Sequence, residues 1–379
     1  DPIPILVNPF EVSDTTPSEQ EIEKAVKRLK WGKAPGPSGI RNDDLKKMLA
    51  AARRSENPDR TQWDVVIQLV QHVFSSGELP EELTWTTLVL LPKEDGSNRG
   101  IGLLDVIWKL ITTIIDARLQ EAISFHDTLH GFRPGRGTGT AIIEAKLFQQ
   151  MASVHQAPIF QVFLDLRKAY DTVDRDRLLE VLKGYGVGEN VRRLLRLFWN
   201  QQQTIAKQSS YHGNPFQANR GFVQGDPVSP TLFNIMADAV VRYWLFLTME
   251  GKGKAAHGSI DVVQSACLAL FYADDGLISS TDPEWLQGAI DILTELFGRM
   301  GLQTNTAKTK AMTCYPGYIS GQMSSPAYKR RQMKTTVEET DAQEGGNPRR
   351  TQCTKCGKDL AITSLAKHMR VIHGMTPTR

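Results

Sequence analysis

The stretch LALFYADDGLISS, residues 268–280, constrains the fold most tightly, because two apolar runs are separated by little more than Asp274, Asp275 and Gly276. Asp-Gly between apolar runs is the strongest short-range hairpin signal, so a β-hairpin with acids at its tip is expected. Two readings of those acids stay open here: solvated turn residues, or ligands of a divalent cation. A third carboxylate bears on the choice. PIFQVFLDL is a short apolar run of the kind a central strand needs, and it ends on Asp165. A carboxylate at the end of a buried strand is costly unless something pairs with it. Should this strand lie beside the hairpin, Asp165, Asp274 and Asp275 share one sheet edge. Hard oxygen ligands of that kind suit Mg²⁺, and two such ions can serve an in-line displacement at phosphorus.

The rest of the chain reads as helices with few, scattered strands, hence an α+β fold. A helix is expected from Ser18, with the apolar stripe Ile22, Ala25, Val26 and Leu29, ending before a Gly/Pro loop. LTWTTLVLLPK alternates like a strand and stops at Pro92; LLDVIWKLITTIIDARLQEAI and AIIEAKLFQQMASV read as long amphipathic helices. DRLLEVLKGYG and NVRRLLRLFWNQ follow as helices, then a polar stretch runs to Gly221. SPTLFNIMADAVVRYWLFL opens on Ser-Pro, a good helix start, and its continuation to Met249 is interrupted by Asp238 and Arg242, so a buried core helix is expected and not a membrane span. PEWLQGAIDILTELFGRMGL is the last helix; beyond Tyr315 the Gly, Ser, Pro and charged composition reads as linker.

Composition adds limits. Four cysteines among 379 residues exclude a disulfide scaffold and favour a reducing, intracellular setting, nuclear or cytoplasmic and not secreted. The chain opens DPIPILVNPF without Met or signal peptide, which reads as a piece cut from something longer. From Ala327 onward, eleven Lys/Arg face five Asp/Glu, leaving the preceding body slightly acidic. A basic tail suits a nucleic-acid-binding appendage, and equally a solvated tail.

Seven blocks in consecutive order carry a resemblance. LKWGKAPGPSGI, LPKEDGSNRGIGLLDVIWKL, HGFRPGRGTGTAI, FLDLRKAYDTVDR, RGFVQGDPVSPTLFNIMAD, FYADDGLISS and GLQTNTAKTKAM together resemble the fingers and palm motifs of reverse transcriptases. The similarity is greatest to those of non-long-terminal-repeat retrotransposons and group II introns. It runs from about residue 15 to residue 315.

The resemblance implies a right-hand polymerase with an RNA-recognition-like palm sheet covered by helices. It implies RNA template, DNA primer or target and dNTPs as partners, no membrane, and two Mg²⁺ ions held by Asp165 and Asp274. Asp275 matches the second acid of the Tyr-x-Asp-Asp box, a ligand or a turn residue. Tyr170 stands where the family places an aromatic ring beneath the incoming sugar, which would exclude a ribose 2′-hydroxyl; core packing is the plainer role. Gln224 and Gly225 match the pair at the nascent base pair, Lys93 and Arg99 the cations on the triphosphate, and Lys308, with Lys310 as its near neighbour, the proton donor to pyrophosphate. Asp171 and Asp174 read as capping or ion-pair residues. RGI at 99–101 replaces the family's usual Arg-Pro-Ile. No thumb segment and no endonuclease segment are read in the chain.

CTKCGKDLAITSLAKHMRVIH spells Cys-x2-Cys-x11-His-x4-His, with candidate ligands Cys353, Cys356, His368 and His373. Two thiolates and two imidazoles at this spacing suit tetrahedral Zn²⁺, and Leu360 and Leu365 would supply the small core. Lys355, Lys358, Lys367 and Arg370 favour nucleic acid as its partner. Cys267 and Cys314 read as plain buried thiols. The expected division is therefore 1–158 N-terminal and fingers region, 159–315 palm, 316–350 linker and 351–375 zinc finger. The expected function is RNA-directed DNA polymerase of a retrotransposon. The alternatives are an inactive remnant binding nucleic acid through its finger and basic tail, and an RNA-dependent RNA polymerase, which Tyr170 disfavours.

Overall fold

A computed structural model describes residues 2–54, 56, 58–92, 96, 98–208, 211–249, 267–314, 350–352 and 359–361. The chain divides into two units, Asp1–Ser320 and Gly321–Arg379. The expected linker and the zinc ligands Cys353, Cys356, His368 and His373 lie outside the described residues. In the second unit the described part is a short antiparallel pair, β9 (Arg350–Gln352) and β10 (Asp359–Ala361), joined with Leu360 opposite Thr351.

The first unit opens with α1 (Glu19–Arg28), α2 (Asn42–Ala52) and α3 (Thr61–Ser76). Ser18 caps α1 by accepting from the Glu21 amide while the Glu21 carboxylate accepts from the Ser18 amide, a reciprocal capping box. Ile22, Ala25 and Val26 are buried as their spacing predicts. A 3₁₀ turn (Glu81–Thr84) leads into β1 (Trp85–Pro92), which pairs antiparallel with β2 (Asn98–Leu104). The helix expected from Leu103 starts three residues later as α4 (Val106–Ala122), because Asp105 accepts from the Ile107 amide at 2.8 Å and caps it, while Leu103 and Leu104 finish β2. Arg118 of α4 then grips Glu21 bidentately, at 2.8 and 3.1 Å, tying α4 to α1.

Next come α5 (Thr138–Val154), β3 (Ile159–Leu164), α6 (Ala169–Thr172), α7 (Arg175–Gly184) and α8 (Glu189–Gln201). Asp174 caps α7 and pairs with Arg177, as expected of a capping residue. The polar stretch before Gly221 contains two strands that the sequence pattern did not announce, β4 (Gln203–Gln208) and β5 (Tyr211–His212). β4 runs parallel to β1, giving a first sheet of order β2-β1-β4-β5. Its residues are mostly polar, so no apolar alternation marked it; pairing with β1 makes it a strand.

The second sheet holds β6 (Cys267–Tyr272), β7 (Asp275–Ser280) and β8 (Lys310–Cys314) with β3, in the order β6-β7-β3-β8 and antiparallel throughout. α9 (Ser229–Met249) and α10 (Pro283–Arg299) pack together against it, with Ile278 fully buried and Phe271 edge-on to Phe297 at 6.4 Å. Trp244 of α9 donates to the Ala289 carbonyl of α10 at 2.7 Å. α9 is the core helix expected, and among the described residues no helix is long and apolar enough to cross a membrane. α5 departs from a core-facing amphipathic helix: Ile142, Ile143, Leu147, Met151 and Val154 are all more than half exposed, and only Ala152 is buried.

Asp238, inside α9 and wholly buried, joins three elements. It accepts from the Tyr185 hydroxyl at 2.7 Å, from Arg242 Nε at 2.6 Å and from the His126 amide at 2.6 Å. Asp238→Ala leaves those donors without their buried acceptor, which is expected to cost about 3–5 kcal/mol. Urea unfolding measures it, and Asp238→Asn is expected to lose less because it retains one acceptor oxygen.

Candidate active site

The sheet register delivers the three carboxylates to one end of the second sheet. Leu164, the last residue of β3, pairs with Gly276, and Tyr272 of β6 pairs with Asp275 of β7. Asp165 follows β3 directly, and Asp274 occupies the β6–β7 turn. The turn is therefore Ala273-Asp274 and not the expected Asp275-Gly276. Gly276 serves the ladder instead: a Cβ there would sit 3.0 Å from the Phe271 ring and 3.4 Å from Leu164. The cost passes to Ala273, which adopts a left-handed φ of 55°.

Asp165 is fixed through its backbone. Its amide donates to Thr309 Oγ1 at 3.3 Å, and its carbonyl accepts from the Asn305 amide at 2.7 Å. The same turn carries Lys308, whose amide donates to the Asn305 carbonyl at 3.1 Å and whose side chain is exposed. Lys310 lies in β8, opposite Phe163. Partial burial, then the charges of Asp274 and Asp165, raise the Asp275 carboxyl above its ordinary range. The three carboxylates do not close into a cage, since among the described residues no three His, Cys, Asp or Glu side chains gather tightly enough to hold a metal unaided. The fit to Mg²⁺ is that of an open site: excess negative charge and hard oxygens, with room for ligands from a substrate.

Tyr170 stands in α6, reached from Asp165 through Lys168, which takes a left-handed φ of 46°. Its ring stacks on Phe233 at 5.1 Å and meets Phe222 edge-on at 6.2 Å. Burial, then the charge of Asp274, pushes its phenol well above the usual tyrosine range, and its buried hydroxyl has no hydrogen-bond partner among the described residues.

Gln224 and Gly225 lie against β2 of the first sheet. The Gly102 amide of β2 donates to the Gln224 carbonyl at 2.7 Å, and a Cβ on Gly225 would fall 2.5 Å from the Gly102 carbonyl. Gly225 also has a φ of +123°, open to glycine alone in practice. Arg99 is exposed on the same strand as Gly102, paired with Leu91; Lys93 lies outside the described residues. Sequence reasoning passed over Asp226, the next residue. It is buried, accepts from Trp108 Nε1 at 3.2 Å, and burial pushes its carboxyl up to about 6. Burial also lowers the half-buried Lys109, against the opposing charges of Asp226 and Asp105. An acid set between Gly and Pro just ahead of an apolar helix was the available signal.

Residues 91–347 match the family model described as reverse transcriptase (RNA-dependent DNA polymerase). Over 73% of its length the chain is 24% identical to a retrovirus-related Pol polyprotein from a type-1 retrotransposable element R2 of Nasonia vitripennis, covering 27% of that protein. Over 80% of its length it is 22% identical to the corresponding polyprotein of the type-2 element R2DM of Drosophila melanogaster, covering 26% of it. The chain thus spans about a quarter of the length of these curated relatives. Among solved structures, telomerase of Candida tropicalis truncated from its C-terminal domain superposes with a TM-score of 0.48 at 13% identity, over 70% of this chain and 59% of that one.

Asp226 yields a pH prediction. Its folded pKa of about 6 exceeds the ordinary 3.8, so the folded chain binds this proton more tightly than the unfolded chain. Its contribution is therefore fully present below the ordinary value and is lost as pH rises through about 6, a change on the order of 3 kcal/mol. Asp226→Asn removes that dependence. Its stability relative to the parent is expected to rise between pH 4 and pH 7, measured by urea unfolding at each pH.

Proposed function

Because the chain belongs to the reverse transcriptase (RNA-dependent DNA polymerase) family, we propose that it extends the 3′-end of a DNA primer along an RNA template by nucleotidyl transfer. The observation that carries this reading is the strand register that brings Asp165, Asp274 and Asp275 to one sheet end, with Tyr170 five residues beyond Asp165 in α6. Asp165 and Asp274, with Asp275 beside them, would hold Mg²⁺, which when bound activates the 3′-hydroxyl and neutralises the leaving pyrophosphate. Three carboxylates brought to one sheet end support this, because like charges held together attract a cation.

The remaining residues bind and orient. The Tyr170 ring, held against Phe222 and Phe233, would fill the space that a ribose 2′-hydroxyl needs, so dNTPs are the expected substrates. Gln224 and Gly225 would meet the nascent base pair from a turn fixed to β2. Lys93 and Arg99 would neutralise charge on the triphosphate. Lys308, on the turn that holds the Asp165 backbone, would give its proton to pyrophosphate. Cys353, Cys356, His368 and His373 would bind one Zn²⁺ and, with the basic tail, hold nucleic acid. Work on such a template sets the protein inside the cell. In a second reading the chain binds nucleic acid without catalysis, through its finger and its basic tail, where eleven Lys/Arg face five Asp/Glu from Ala327 onward.

Purified protein is expected to incorporate dTTP on poly(rA)/oligo(dT) with Mg²⁺, and Asp274→Ala to reduce this to background. No incorporation by the parent would turn the case to the second reading. Tyr170→Ala is expected to raise rNTP use relative to dNTP in the same assay. Less than one equivalent of zinc after metal-replete purification would remove the finger from the proposal.

A further inference from the structure

The loop beside the catalytic turn presents an aromatic ring that packing alone does not explain. Residues 128–130 extend the outer edge of β6: the Phe271 amide donates to the Thr128 carbonyl at 2.7 Å, and the His130 amide to the Phe271 carbonyl at 2.8 Å. Gly131 then passes so close to the turn that a Cβ would lie 2.6 Å from the Ala273 nitrogen. The buried Asn234 holds the Gly131 carbonyl at 2.7 Å. On the other side Arg133 Nη1 donates to the His126 and Leu129 carbonyls, both at 2.8 Å. Between these anchors Phe132 adopts a left-handed φ of 53° and stays 42% exposed. Its ring lies 6.3 Å from that of Tyr272, tilted by 32°.

A bulky residue in the left-handed region is a genuine outlier, and strain of this kind gathers at functional sites. Glycine or asparagine would take this backbone more cheaply, and a ring so exposed gains little from burial. Tyr272 stands two residues before Asp274, where a primer 3′-hydroxyl must arrive. Nucleotides pack well on exposed aromatic rings in a sequence-tolerant way.

We propose that Phe132 and Tyr272 form an aromatic shelf at the β6–β7 turn against which the terminal nucleotide of the primer strand packs, Phe132 being the primer-binding residue not otherwise accounted for. This rests on the polymerase reading above. The test compares the full chain with Phe132→Asn, which suits the backbone and removes the ring, and with Phe132→Trp, which keeps one. Binding of a labelled primer–template duplex and of the single-stranded RNA template alone is followed by fluorescence anisotropy. Phe132→Asn is expected to weaken duplex binding about tenfold and to raise the primer–template KM with the dNTP KM unchanged. Its single-strand binding should stay at the parent's level, and Phe132→Trp should restore the duplex. An Asn variant that binds duplex like the parent, or that loses duplex and single strand alike, overturns the shelf. A parent that extends primers while the shelf fails overturns this inference alone; a parent that neither binds nor extends the duplex overturns both.

Discussion

Repulsion among Asp165, Asp274 and Asp275 is the constraint around which the second sheet is organised. Three carboxylates left in solution would separate. Here two belong to one turn and the third follows the neighbouring strand, so the antiparallel ladder of β3 with β7 holds them together against their charge. Partial burial, and after it the charges of Asp274 and Asp165, raise the Asp275 carboxyl there. The ladder is in turn backed by α9 and α10, whose apolar faces bury Ile278, Leu293, Leu296 and Phe297. Burial energy from that layer offsets the electrostatic cost at the rim. The backbone departs from ordinary geometry where the site is tightest: Ala273, Phe132 and Lys168 all take left-handed φ values around the carboxylates.

How much of this was legible in the chain differs from element to element. The hairpin, the central strand and α9 followed from apolar runs, because burial on both faces leaves a pattern that needs no partner to be read. The start of α1 at Ser18 was legible for the same local reason. β4 was not, because a mostly polar strand becomes one by pairing with β1, and pairing is non-local. The turn at Ala273-Asp274 was misplaced by one residue pair. Asp-Gly signals a turn locally, but Gly276 answers to the Phe271 ring, which no local rule sees.

The site divided along the same line. The end of an apolar run marked Asp165, and the resemblance marked Tyr170, Gln224 and Gly225, whereas Asp226 and Phe132 acquire significance through neighbours more than a hundred residues away. Asp226 meets Trp108, and Phe132 meets Tyr272. α5 is the opposite case. Its sequence promises a buried stripe, yet among the described residues that stripe faces outward.

The joint between β2 and the Gln224-Gly225 turn explains why Asp226 belongs with the active-site residues although it touches no carboxylate of the rim. Gly102 and Gly225 let two backbones approach as side chains could not, and the Gly102–Gln224 hydrogen bond fixes their register. One hydrogen bond between a strand and a turn would leave the turn free to pivot. Asp226 removes that freedom by engaging Trp108 of α4, the helix that follows β2. The turn is thus held by the strand before α4 and by α4 itself, two consecutive elements of one segment. A buried acid near neutrality is a poor source of stability, so its presence here is better understood as positional: it trades folding energy for a Gln224-Gly225 turn that keeps one orientation toward the carboxylate rim.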